Sequence, residues 1–107
     1  MTLTYKQITA EAAKEIMDRE TGYVILDVRT EEEFAAGYIP GAILIPDYDI
    51  TLMVEDVLKD KNQKILIYCR SGRRSKIAAQ VMAVMGYTNI LEFGGILDWP
   101  YETATAE

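Results

Sequence analysis

The clearest hydrophobic pattern in the chain is a pair of short apolar runs that are rich in β-branched residues. They cover residues 23–28 and 64–68, and each contains a single charged residue. Runs of this length without polar alternation are typical of strands that are covered on both faces of a parallel sheet. Weaker apolar runs at residues 42–45 and 89–93 predict two further strands beside the central pair.

Helical patterns lie between these runs. Residues 9–19 begin with a threonine suited to capping and then repeat apolar positions at helical spacing. Thr30 and Glu33 have the spacing of a capping box, which predicts a short second helix. Residues 75–85 are apolar on nearly every side and stop before Gly86, which predicts a mostly buried helix with a glycine C-cap.

The alternation of strands and helices over 107 residues predicts a single α/β domain covering residues 1–107. Half of the residues are apolar and 26% are charged, which is ordinary for a globular protein. We expect a loose tail at residues 103–107. The first residues show no basic segment followed by an apolar run, and no apolar run is long enough for a membrane span, so we expect a cytoplasmic protein.

Charge narrows the possible partners. Seventeen acidic and eleven basic residues give a net charge of −6, which disfavours general binding to nucleic acid or to a membrane surface. Four of the basic residues nevertheless fall in one short stretch without an acidic residue: Arg70, Arg73, Arg74 and Lys76. This local positive patch would attract a small anion, although a solvated surface cluster is the plainer interpretation.

The cysteine and histidine content limits the catalytic and metal sites that the chain can form. Cys69 is the only cysteine, which excludes an internal disulfide and a cysteine-based structural zinc site. The chain has no histidine, so the usual base of cysteine proteases and the usual metal ligand are both missing. We expect no metal and no cofactor.

Cys69 begins a turn, residues 69–74, between a predicted central strand and the buried helix. Ligands of parallel sheets bind at such turns, where backbone amides and the positive end of a helix stabilise anions. The same field and the nearby arginines favour a thiolate at Cys69. A thiolate can attack a singly bonded sulfur, become a persulfide and release an anion without a general acid. The alternative is that Cys69 is only a small buried apolar residue at a strand end.

Four stretches of the sequence together resemble the rhodanese family. They are residues 27–29, residues 33–42 with the pattern Glu-Phe followed by Gly-Tyr-Ile-Pro-Gly-Ala, the loop Tyr-Cys-Arg-Ser-Gly-Arg-Arg-Ser at 68–75, and residues 86–99 with two glycines and Trp99. The resemblance implies a three-layer α/β/α domain with a mostly parallel five-stranded sheet. The sequence departs from the family pattern at Tyr38, where histidine is frequent, and at Leu44, in a stretch that commonly contains asparagine.

The resemblance also implies a function. Cys69 would be the catalytic nucleophile of a sulfurtransferase that moves sulfane sulfur from a small anionic donor such as thiosulfate to a thiol or cyanide-type acceptor, protein thiols included. Substrate-binding residues would be those of the loop: Arg70, Ser71, Gly72, Arg73, Arg74 and Ser75. Supporting residues would be Asp27, Arg29 and Glu33. We favour a structural role for Asp27 and Arg29 over lining the site, and a core position for Trp99.

Two other functions remain open from sequence. A related fold binds phosphate or arsenate in a cysteine loop, but those loops have five residues between cysteine and arginine, and here four separate Cys69 from Arg74. A sulfur-accepting or regulatory binding module that never turns over a donor is the non-enzymatic alternative. Retention of Cys69 together with the whole loop favours sulfur chemistry.

Overall fold

A computed structural model, which describes residues 5–105, contains five strands and four α-helices in those residues. The strands are β1 (Lys6–Gln7), β2 (Val24–Asp27), β3 (Ile43–Leu44), β4 (Ile65–Cys69) and β5 (Ile90–Gly95). The helices are α1 (Ala10–Arg19), α2 (Glu31–Ala36), α3 (Ile50–Val57) and α4 (Arg73–Val84). Two short 3-10 turns, Asp47–Asp49 and Ile96–Asp98, precede α3 and follow β5.

The strands form one sheet in the order β1-β5-β4-β2-β3, and all four neighbouring pairs are parallel. The predicted α/β fold with a five-stranded sheet is therefore confirmed. The chain leaves β2 towards β3 on one side and leaves β4 towards β5 on the other. The carboxyl ends of β2 and β4 thus form a topological switch point, where parallel sheets hold their ligands.

Alternating residues of β4 divide the core into two layers, because successive side chains of a strand point to opposite faces. Ile65, Ile67 and Cys69 belong to the cluster that α3 and α4 cover. Leu66 and Tyr68 belong to the opposite cluster, which α1 covers. Helices on both faces explain why the central strand is apolar at every position.

The predicted core position of Trp99 is confirmed, because the residue is 8% exposed and packs in the cluster that α1 covers. Its ring lies 5.6 Å from Phe93 and 4.9 Å from Tyr101, so aromatic residues cover this face after β5 ends. The indole nitrogen donates to the carbonyl of Glu102 at 3.1 Å. These contacts fill the layer despite the short segment that follows the tryptophan.

Helix α4 differs from its prediction in two ways. It begins at Arg73 rather than near Ser75, so Arg73 and Arg74 of the predicted turn lie in the first turn of the helix. It is also less buried than its composition suggested, since Ile77 and Val84 are 57% and 79% exposed. The helix buries a stripe of small residues and one methionine, and only that stripe faces the sheet.

Two elements, α3 and β1, were not predicted from the sequence. Residues 50–57 are rich in β-branched side chains, which disfavour a helix assignment, but Ile50, Val54 and Leu58 recur every four residues and are buried on one side. Strand β1 is two exposed residues long, and it is defined by its pairing with β5 rather than by its own pattern.

The C-terminal segment is more ordered than expected. Ala104 exchanges two backbone hydrogen bonds with Tyr38, of 2.8 and 2.9 Å, so the loose tail predicted from residue 103 is wrong up to that point. Residues 106 and 107 of that predicted tail lie outside the described residues. Among the described helices, none combines the length and apolar character needed to cross a membrane.

Candidate active site

Strand β4 ends with Cys69 at the switch point. Its Sγ atom accepts a hydrogen bond from the backbone amide of Gly72 at 3.0 Å. The cysteine is a free thiol and is 1% exposed. The sulfur therefore lies under its own loop, with one amide of the loop directed at it, while its flank packs in the apolar core.

The loop is shorter and tighter than the predicted turn, because only residues 70–72 separate β4 from α4. Gly72 adopts a φ of +105°, which favours glycine, and caps α4. The carbonyl of Arg70 accepts from the amide of Leu97 at 3.2 Å, which ties the loop to the turn after β5. This backbone arrangement aims the Gly72 amide at the sulfur.

Ser75 lies beneath the loop and is fully buried. Its Oγ lies 3.4 Å from Cys69 Sγ. The same hydroxyl group donates a hydrogen bond of 2.6 Å to Glu92 Oε2. Glu92 is 1% exposed and also accepts from the amide of Gly94 at 2.9 Å. Glu92 was not predicted as a site residue, although an acidic residue inside an apolar strand pattern was a signal that could have identified it.

Arg74 is not a free cation in this site. Its guanidinium donates two parallel hydrogen bonds to the carboxylate of Glu33, of 2.7 and 2.8 Å. Glu33 comes from α2, where it also closes the predicted capping box with Thr30, which is confirmed. Arg70 and Arg73 are exposed, so the net positive charge at the mouth of the site comes from these two residues rather than from all three arginines.

The Arg74 hydrogen bonds lower the pKa of Glu33 from 4.5 to about 2, against the opposing effect of partial burial. A carboxyl group with a lowered pKa in the folded state stabilises the protein above its unfolded pKa, and this contribution disappears as the pH falls towards the folded value. We therefore expect Glu33→Gln to lower the free energy of unfolding by about 1 kcal/mol at neutral pH, after allowance for solvent screening. The difference from wild type should shrink between about pH 5 and pH 2.

Urea unfolding at several pH values measures this effect. Glutamine keeps an oxygen that can accept from the amide of Thr30, so the substitution removes the ion pair and not the cap. Glu31→Gln is the matched control, because Glu31 is an exposed acidic residue in the same first turn of α2. A loss in Glu33→Gln that persists at low pH would contradict the ion-pair explanation.

Asp27 and Arg29 form a buried pair at the end of β2. The side chains are 0% and 5% exposed, and they share hydrogen bonds of 2.7 to 3.0 Å. Arg29 also donates to the carbonyl of Gly37 at 2.6 Å and lies over the ring of Tyr68. Burial raises the pKa of Tyr68, whose hydroxyl accepts from the amide of Ile39. The pair thus joins β2, β4 and the segment after α2.

The structure brings most predicted site residues to one place. The segment from Cys69 to Ser75 forms the loop and the start of α4, and Glu33 reaches it through Arg74. Asp27 and Arg29 lie beside the loop and make their polar contacts with each other and with neighbouring backbone rather than with the sulfur. Ser71 is exposed at the loop tip.

The chain is similar in sequence to a known protein family and to curated relatives. The family model described as rhodanese-like domain matches residues 9–101. Over 98 residues the chain is 35% identical to the putative sulfur carrier protein YrkF of Bacillus subtilis (strain 168), a match that covers 91% of this chain and 52% of that relative. Over 73 residues it is 34% identical to the thiosulfate sulfurtransferase PspE of Escherichia coli (strain K12), covering 68% of this chain and 70% of the relative.

A solved structure gives the same result. The structure described as rhodanese with anions from E. coli superimposes with a TM-score of 0.74 at 30% sequence identity, and the match covers 78% of this chain and 99% of that one. The chain spans about half the length of YrkF, so the likeness concerns one part of that protein.

Proposed function

The chain belongs to the family of rhodanese-like domains, and we propose that it is a sulfurtransferase that carries sulfane sulfur as a persulfide on Cys69. The observation that carries the proposal is the position of the Cys69 sulfur, at the end of the central strand and 3.0 Å from the amide of Gly72. Backbone amides at a helix N-terminus stabilise negative charge on sulfur. The attacking thiolate and the persulfide anion both carry that charge.

The reaction has two steps. In the first, the Cys69 thiolate attacks the sulfane sulfur of a thiosulfate-like donor, a new S–S bond forms, and sulfite leaves with the electron pair of the broken bond. In the second, a thiolate or cyanide attacks the outer sulfur of the persulfide, and Cys69 leaves as a thiolate. Neither leaving group needs a proton, which suits a site without histidine.

An assay with thiosulfate as donor and cyanide as acceptor tests both steps together, because it measures the thiocyanate that a complete cycle forms. Mass spectrometry after donor treatment alone tests the first step, because it should find one added sulfur atom on Cys69. Since Cys69 is the only cysteine, no other thiol contributes to the signal. Absence of both products with thiosulfate and with organic persulfide donors would refute the proposal.

Donor binding involves the exposed cations. Arg70 and Arg73 are exposed beside Cys69, which is itself 1% exposed, so an anionic donor meets these two cations before it reaches the sulfur. The two cations attract a dianionic donor to this mouth on a protein with a net charge of −6. Attraction between exposed charges weakens with added salt.

We expect the double substitution of Arg70 and Arg73 by glutamine to raise the KM for thiosulfate by about tenfold at low salt. The reason is that each exposed cation contributes about 1 kcal/mol or less to donor binding. The KM of the variant should also depend less on ionic strength than that of the wild type. Initial rates at several salt concentrations measure both effects. Arg19→Gln is the control, because Arg19 is an exposed arginine on α1, on the far side of the sheet. An unchanged KM at low salt in the double variant would contradict the role of these cations.

A sulfur-carrying protein without independent turnover is a second candidate, supported by the likeness to YrkF, whose description is putative sulfur carrier protein. The amount of sulfur transferred per chain distinguishes the carrier from the transferase. A carrier takes up one sulfur atom per chain and stops, whereas a transferase forms thiocyanate in large excess over protein. Phosphate or arsenate chemistry has weaker support, because Glu33 already occupies the guanidinium of Arg74.

We propose the cytoplasm as the compartment, because a free thiol that must return to its reduced form after each cycle suits a reducing environment. Subcellular fractionation with an antibody tests this, and recovery of the protein outside the cytoplasm would contradict it.

A further inference from the structure

A buried carboxylate is joined to the Cys69 sulfur through a single hydroxyl group. Sγ of Cys69 lies 3.4 Å from Oγ of Ser75, in the geometry of an S–H group donating to a hydroxyl oxygen. Ser75 Oγ makes its shortest contact, 2.6 Å, with Glu92 Oε2. Ser75 and Glu92 are 0% and 1% exposed, so bulk water does not reach this connection.

Two further groups contact the carboxylate of Glu92. Lys76 Nζ lies 3.5 Å from Oε1, and the amide of Gly94 donates to Oε2 at 2.9 Å. These groups compensate the buried charge without the help of Ser75. Ser75 Oγ also lies 3.1 Å from the carbonyl oxygen of Gly72 and 3.3 Å from that of Gly94, but its contact with the carboxylate is the shortest of the three. A hydroxyl proton directed at the carboxylate leaves the lone pairs of Oγ available to the Cys69 thiol.

We propose that Ser75 and Glu92 form a proton relay that ionises Cys69, with Glu92 as the residue that takes up the thiol proton. This inference rests on the proposed sulfur-transfer function and supplies a proton acceptor in a chain without histidine. Glu92 acts through Ser75 and is therefore a positioning residue, whereas Ser75 contacts the reacting sulfur.

The proton transfer is balanced. The thiol proton of Cys69 moves to Ser75 Oγ while the hydroxyl proton of Ser75 moves to Glu92 Oε2. The products are a thiolate and a neutral carboxylic acid, with no change in the number of protons or electrons. When an acceptor later removes the sulfane sulfur, the released Cys69 thiolate can recover its proton by the same path.

Charged groups near the relay come from α4, from α2 and from the turn before α3. Lys76 contacts Glu92, and Arg74 lies on the sulfur side, where Glu33 pairs with it. The carboxylate of Asp47 also acts on Arg74. On the remaining side of β5, Gln7 of β1 lies opposite Glu92 and is uncharged. Within the hydrogen-bonded path itself, Cys69 and Glu92 are the two acids that exchange a proton.

Alkylation of Cys69 by uncharged iodoacetamide tests the relay, because it measures thiolate formation and needs no sulfur donor. We expect Glu92→Gln to slow alkylation at neutral pH by about 100-fold, a usual size for the loss of a proton acceptor. The rate should recover towards the wild-type value as the pH rises towards about 10, where hydroxide removes the thiol proton. Ser75→Ala should show the same pH dependence, and the double variant should lose no more than either single one, because the two residues act as a unit.

Three outcomes would overturn the relay. They are an unchanged rate in Glu92→Gln, a faster rate, which would mean that the carboxylate only repels the thiolate, and a slower rate that high pH does not restore. Glu11→Gln is the charge-matched control, since Glu11 is exposed on α1. If Glu92→Gln does not fold by circular dichroism, Ser75→Ala alone decides, by the same pH criterion.

The relay and the sulfur-transfer function fail in different ways. A relay that fails in the alkylation assay leaves persulfide formation by the wild type intact. Conversely, a wild-type protein that forms no persulfide with any donor still yields an alkylation profile, so each statement is tested by its own measurement.

Discussion

Cys69→Ser is expected to abolish sulfur transfer while the protein stays folded. Serine has nearly the same size, and its hydroxyl oxygen can accept from the amide of Gly72 as the sulfur does. A serine oxygen cannot form a persulfide, so the variant has no atom on which to carry the sulfane sulfur. Because the wild type has a single cysteine, no second thiol can replace it.

Thiocyanate formation and the mass of the intact chain after donor treatment measure this result. The variant should form no thiocyanate above the uncatalysed rate and gain no sulfur atom. Circular dichroism and thermal unfolding should show a folded chain, with a loss of about 1–3 kcal/mol at most for the buried polar atom. Turnover retained in the serine variant would refute the assignment of Cys69 as the sulfur carrier.

Strands β2 to β5 and the position of the candidate site could be predicted from the sequence because their signals are local. An apolar run in β2 or β4 reports burial on both faces by itself, and Cys69 directly follows such a run. The capping box of Thr30 and Glu33 is likewise complete within four residues. Helix α3 was missed because its β-branched composition opposed its four-residue period, and packing against the core decided the outcome.

Contacts between distant parts of the chain could not be predicted in the same way. Glu33 and Arg74 are 41 positions apart, and only the fold shows that one neutralises the other. Ser75 and Glu92 are 17 positions apart and meet because α4 begins above the carboxyl end of β5. The loop sequence alone therefore overstated the free positive charge and omitted the one buried carboxylate that is linked to the sulfur.

Backbone packing beneath the loop is a second feature that the sequence did not specify. Gly94 and Gly95 were recognised only as part of a family pattern, yet Gly95 pairs with Cys69 across β5 and β4. A Cβ atom at Gly95 would lie 2.6 Å from Ser71 Cα and closer still to the carbonyl of Arg70. Its φ of −137° is open to any residue, so contact with the loop backbone, and not backbone strain, requires glycine here.

Gly95→Ala is therefore expected to displace the loop and to reduce kcat/KM for thiosulfate by about 100-fold or more, since a misplacement of about 1 Å can cost that much in a positioned site. The cost in unfolding free energy should be about 1–3 kcal/mol, as for other overpacked positions. Steady-state kinetics and urea unfolding measure the two effects. Gly37→Ala is the matched control, because a Cβ there meets only the carbonyl oxygen of Ala104, at 3.9 Å, and its extended backbone accepts alanine. Wild-type activity in Gly95→Ala would show that the loop does not need its close contact with β5 to hold the Gly72 amide against the sulfur.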